Sequence, residues 1–180
     1  MQKTWVRILT TLITLGVMVM IFFFSMESAE ESDMTSGRIA EKVADTVRPE
    51  WRKYEAKKKQ AYFDDIQHLI RKAAHFTEFM MLGASLLLCA ESWFGNRKWL
   101  WAAALGSGFL YAVLDEMHQL RVDGRSGQGS DVLIDTAGVL TGVLVVHGIR
   151  GWIFRRGKKE GGNGLRGSCA AIVTEDRIVR

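Results

Sequence analysis

The stretch "YAVLDEMHQLRVDGRSGQGSDVLIDTAGVLTG" begins and ends like a membrane span, yet it carries Asp115, Glu116, His118, Gln119, Arg125, Asp131 and Asp135 between its apolar ends. A second polar group, Lys72, His75 and Glu78, opens another apolar run around "RKAAHFTEF". Carboxylates and imidazoles are the side chains that move protons near neutral pH, and guanidinium groups clamp phosphate or carboxylate. One chemistry open to this set is proton transfer at a membrane edge. Asp115 or Glu116 would act as general base and His75 or His118 as proton shuttle. Lys72, Glu78, Gln119, Arg125, Asp131 and Asp135 would contact the ligand, with Arg125 as its anion clamp. Nothing identifies a nucleophile, because Ser126 and Ser130 in "RSGQGS" read as turn residues or a helix N-cap.

Spacing places these groups on helix faces. Asp131 and Asp135 stand at i and i+4, Asp115 aligns with His118 and Gln119, and His75 aligns with Arg71 and Glu78. Each helix therefore carries one polar stripe, and the stripes are expected to face each other. A carboxylate at the bilayer centre costs roughly 2.5–3.5 kcal/mol, less near the interface, and pairing offsets the cost. Arg71, Lys72 and Arg125 are the available cations. The acids exceed them, which calls for a shared proton, protonated histidines or a bound cation. The bland alternative is an ion-pair knot that sets helix register.

The elements that position these groups follow from blocked hydropathy. The chain has 180 residues, 48% hydrophobic, with a net charge of +4 and one proline, a length that suits one domain. Four spans are expected at about 5–24, 76–94, 99–118 and 131–149. The first has no charge from Ile8 to Met26, enough for the ~20 residues of a bilayer crossing. It is longer than a signal-peptide core, and no A-x-A-like site follows Phe24, so it is read as a retained anchor. The clean apolar part of the second span, Phe79–Ala90, is short, so Glu78 is expected below the headgroups. Ala104, Gly108 and Ala112 form one small-residue stripe and Gly138 with Gly142 another, which predicts close packing of the third and fourth spans.

The polar loop 25–71 reads as one or two amphipathic surface helices broken at Pro49, with Ile39, Val43, Thr46, Val47, Trp51 and Tyr54 marking the apolar side. Residues 153–180, basic and then Gly-rich, read as a disordered cytoplasmic tail following a membrane domain of residues 1–152. The fold class is thus an all-α membrane protein with four transmembrane helices and an amphipathic surface segment. Basic residues before the first span, in the turn at Arg97 and Lys98, and after the fourth place both termini in the cytoplasm. The polar helix ends then face outward. The basic residues track span ends, so no nucleic-acid partner is expected; the partners are the lipid bilayer and a lipid-linked envelope ligand or glycopeptide. Cys89 reads as a small buried hydrophobe and Cys169 as an incidental thiol, too few for a disulfide framework.

At these residues the chain resembles the VanZ-like family of bacterial membrane proteins. The likeness runs from Ile8 to about Gly148 and is carried in order by "IFFFS", "RKAAHFTEF", "YAVLDEMHQL", a Gly-Arg turn and "SDVLIDTAGVLTG". The family's polar positions fall on Lys72, His75, Glu78, Asp115, Glu116, His118, Gln119, Arg125 and Asp131. Arg121, Asp123, Phe79 and Asp135 depart from the family's usual aromatic, proline, tyrosine and asparagine, which bears on loop shape. The resemblance implies a multi-pass protein of the bacterial cell membrane and envelope; the family's naming member is linked to low-level teicoplanin resistance.

Two further readings stand beside a resistance-linked envelope factor. One is a membrane-embedded enzyme acting on a lipid headgroup or lipid-linked envelope intermediate. The other is a metal site built from His75 with Glu78 and His118 with Asp115. No compact zinc signature is present, so no metal or other cofactor is expected. A transporter fits poorly, because the polar residues sit at one end and no paired broken helices are visible.

Overall fold

A computed structural model describes residues 4–27, 29–122 and 129–175. Among them there are five α-helices, α1 (Thr4–Met26), α2 (Ala29–Val47), α3 (Ala56–Phe94), α4 (Trp99–Gln119) and α5 (Gly129–Glu175), with a 3-10 turn at Pro49–Lys53 between α2 and α3. The chain divides into two compact units, Met1–Val143 and Leu144–Arg180. The second continues α5, where the Arg156 guanidinium lies 5.1 Å from the Trp152 ring centroid.

Three helical segments are long and apolar enough to cross a membrane: Thr4–Met26, Ala56–Phe94 and Gly129–Ile153. The expected fourth span is a helix of 21 residues, α4, whose length would cover about 31 Å. Its apolarity falls short of the other three, because Trp99, Trp101, Tyr111, Asp115 and Glu116 interrupt it. Between α3 and α4 the chain reverses at Gly95, which sits at φ 74 and returns its amide to the Glu91 carbonyl at 2.9 Å. A side chain would be strained there.

α3 runs for 39 residues, about 58 Å, roughly twice the hydrocarbon thickness. Its first half packs on α2 instead of lipid. Proline removes a backbone donor, α2 stops two residues before Pro49, and the 3-10 turn delivers Trp51 into a small core with Ala40, Ala44 and Ile66. Trp51 stacks on Phe63 at 6.0 Å, and its indole N–H donates to Asp45 at 2.8 Å. Arg52 adds hydrogen bonds to both Asp45 oxygens at 2.8 and 2.6 Å. These bonds, that of Arg52 first and that of Trp51 second, hold the Asp45 carboxyl down to about 2. The helix break at Pro49 agrees with the sequence, but the buried side of α2 is made of Ser36, Ala40 and Ala44, while Ile39, Val43 and Val47 stay exposed.

The main core draws on four helices: Ile21 of α1, Phe79 and Leu82 of α3, Ala112 of α4 and Val139 of α5. Glycines set the spacing. A Cβ on Gly142 would strike the Met80 carbonyl oxygen, one on Gly83 the Val139 carbonyl oxygen, and one on Gly138 would lie 2.5 Å from the Phe76 oxygen. The glycine pair of α5 therefore packs on α3, which corrects the expectation that it pairs with the small stripe of α4. α4 meets α5 through Gly108, where a Cβ would lie 2.6 Å from Val139 Cγ1. Hydroxyls tie α1 to its neighbours: Tyr111 donates to the Met18 carbonyl at 2.7 Å and Thr14 to the Ser85 carbonyl at 3.1 Å. Cys89 is half-buried, with Sγ 3.5 Å from Thr11 Oγ1. Outside, Leu9, Leu12, Phe23, Leu110, Leu114 and Leu133 are exposed. So much apolar surface suits lipid, not water.

Candidate functional site at the polar ends of the helices

Antiparallel helices bring the end of α1, the middle of α3, the end of α4 and the start of α5 together. There His75, Asp115 and Asp135 each offer a ligand atom, all within 4.8 Å of one another. Asp115 is buried on α4, Asp135 is 1% exposed on α5, and His75 is half-buried on α3. Asp135 points inward because it shares a helical face with Gly138 and Gly142, which lie against α3. Glu78, Glu116 and Asp131 join Asp115 within electrostatic reach of Asp135. Its Oδ1 is buried with no hydrogen-bond partner.

Asp115 is held from its own helix and, one residue further out, from α1. Gln119 Nε2 donates to Asp115 Oδ2 at 2.9 Å and to Ser25 Oγ at 3.4 Å. Ser25 is completely buried, and nothing but its place in "IFFFS" singled it out in the sequence. Glu116 is buried beside Asp115, and Glu78 is half-buried on α3. At the rim, Lys72 Nζ lies 3.2 Å from Asp131 Oδ1, with both side chains about one-third exposed (27% and 32%). Ser130 donates to the same Asp131 oxygen at 3.3 Å.

Two sequence-based pairings come out differently. Arg71 turns away from the site and binds Asp33 at 2.7 Å, because the α2–α3 contact offers it that partner together with Gln67. His118 stacks on Phe22 of α1, centroids 5.0 Å apart, and is not in the three-residue cluster, although it lies only three residues from Asp115. Its Nε2 is buried with no hydrogen-bond partner. Arg125 and Ser126 lie outside the described residues.

The arrangement is one imidazole against two carboxylates from three helices, in a bundle with an apolar exterior. It can hold a proton, a cation or the polar end of a lipid. No curated protein and no solved structure gives a match to the chain. A family model described as VanZ/LLP1 matches residues 10–154, from within α1 through the apolar part of α5 and including every residue of this cluster, and the chain belongs to that family.

Proposed function

We propose that the protein is a polytopic cell-envelope factor that receives a lipid headgroup or a lipid-linked envelope intermediate at the polar helix ends, facing outward, with both termini in the cytoplasm. α4 is the fourth span in this reading. In support, it contributes Ala104, Gly108 and Ala112 to the buried interior while leaving Leu110 and Leu114 exposed, as a lipid-facing helix would. The exposed Ile39, Val43 and Val47 side of α2 then lies on the membrane surface. The observation that carries the proposal is the cluster of half-buried His75 with buried Asp115 and Asp135, which in this reading lies at membrane depth. Ionisable groups cost too much there to be incidental. Lys72, and Arg125 from the connection between α4 and α5, supply positive charge for a phosphate.

The link of the family's naming member to low-level teicoplanin resistance supports reading this chain as a resistance-linked envelope factor. The test is glycopeptide susceptibility in cells expressing the wild type, His75→Ala, Asp115→Asn or Arg125→Ala, with membrane levels measured for each. Lost protection at equal protein levels supports a functional site. Loss of the protein together with protection supports a structural knot, and an inactive wild type removes the resistance link. A second reading is favoured by the imidazole between two carboxylates: an enzyme in which Asp115 or Glu116 takes a proton that His75 or His118 relays. It fails if Asp115→Asn leaves every phenotype and every turnover of a lipid fraction intact.

A further inference from the structure

We propose that His75, Asp115 and Asp135 together bind one divalent first-row transition cation, with Zn2+ and Mn2+ as the appropriate probes. The donor set is one nitrogen and two carboxylates, the mixture that zinc, manganese and iron accept. Donors about 2.1 Å from one tetrahedral ion lie about 3.4 Å from one another. The three donors here are already within 4.8 Å of one another, so closure moves each of them by less than about an ångström.

The independent observation is Asp135. Its side chain is 99% removed from solvent at 1% exposure, and its Oδ1 has no hydrogen-bond partner. A buried carboxylate oxygen in that condition calls for a proton or a cation. The surroundings favour the cation, because Glu78, Asp115, Glu116 and Asp131 all add negative charge, while Lys72 is engaged at the rim with Asp131. Gln119 fits as an outer partner: its amide fixes Asp115 Oδ2 at 2.9 Å, as outer-shell groups orient metal-binding carboxylates elsewhere. Three protein ligands leave at least one coordination position open for water or a ligand oxygen. The ion would also tie α3, α4 and α5 together.

The metal proposal stands apart from the lipid reading, since it needs neither a lipid nor a phenotype. The test uses the full chain in lipid nanodiscs, stripped with a chelator, washed and titrated with Zn2+ or Mn2+ alone. Metal content is read by elemental analysis, and Mn2+ coordination by paramagnetic resonance. One equivalent per chain is expected. His75→Gln, Asp115→Asn and the near-isosteric Asp135→Asn should each lower affinity at least ~10-fold, and Gln119→Ala by ~10-fold through Asp115. Thermal unfolding of each variant without metal establishes that it is folded, and His75→Gln, at a half-buried position, keeps the test decisive if Asp135→Asn does not fold. Substoichiometric metal in the wild type, or unchanged affinity in folded His75→Gln and Asp115→Asn, overturns the proposal and leaves a shared proton as the answer to Asp135. Metal bound without any susceptibility effect would remove the resistance link alone; protection without metal would sink the metal site alone.

Discussion

Replacing Gly142 with alanine adds one methyl group at the closest approach of α5 to α3. The new Cβ would strike the Met80 carbonyl oxygen and lie 2.7 Å from the Ala84 nitrogen and 3.0 Å from the Met80 carbonyl carbon. All three are backbone atoms, so no side chain can rotate aside and the helices must separate. Overpacking of this kind costs about 1–3 kcal/mol, and rigid backbone on the far side puts the expected loss toward the upper end. Gly106→Ala is the control, because nothing lies within 4 Å of its Cβ position and the substitution gains only helix propensity, up to about 1 kcal/mol. The propensity gain is common to both changes and cancels, so the two should differ by the overpacking term, ~2–3 kcal/mol, or roughly 30- to 150-fold in the unfolding equilibrium. Reversible unfolding in mixed micelles measures the difference directly. If the Gly142 variant came within about 0.5 kcal/mol of the Gly106 control, α5 would not rest on α3 as described. Asp135 shares the Gly142 face, so the separation should also withdraw its carboxylate from His75.

The remaining expectations concern single contacts. Tyr111→Phe removes a 2.7 Å bond to the Met18 carbonyl and should cost about 0.5–1.5 kcal/mol in the same unfolding assay, with no change in spectroscopic helicity. Lys72→Met breaks a partly exposed pair with Asp131 and should shift stability by no more than ~1 kcal/mol; if Lys72 serves the proposed headgroup site, the change should also weaken anionic-lipid binding in vesicle assays. Asp45 has a folded pKa of about 2 against 3.8 ordinarily, so the unfolded chain binds more protons between those values and stability rises with pH there. The contribution is complete above pH ~4 and is lost as the pH falls through about 2, which the indole N–H resonance of Trp51 should report; Asp45→Asn should abolish that step. If the site holds metal, adding it at a hundredfold over its dissociation constant should stabilise the chain by about 2.7 kcal/mol, reversed by chelator and absent in Asp135→Asn.

Much of the architecture is written in local pattern. The uncharged run from Ile8 to Met26, the break at Pro49, the turn at Arg97 and Lys98 and the polar residues at alternate helix ends are all properties of adjacent residues, and local pattern exposes them. Four spans were expected; among the described residues three helical segments have the length and apolarity to cross a membrane. What periodicity leaves open is how far each helix rotates about its axis and slides along its neighbours. The tertiary contacts decided that Gly138 and Gly142 meet α3, that Arg71 reaches Asp33, and that His118 stacks on Phe22 while His75 faces Asp115 and Asp135. His118 and Asp115 stand together in sequence, and Asp135 lies sixty residues beyond His75. Helical spacing aligns the near pair along one helix, but only close packing of α5 on α3, set by glycines that leave backbone against backbone, brings the distant pair to one point.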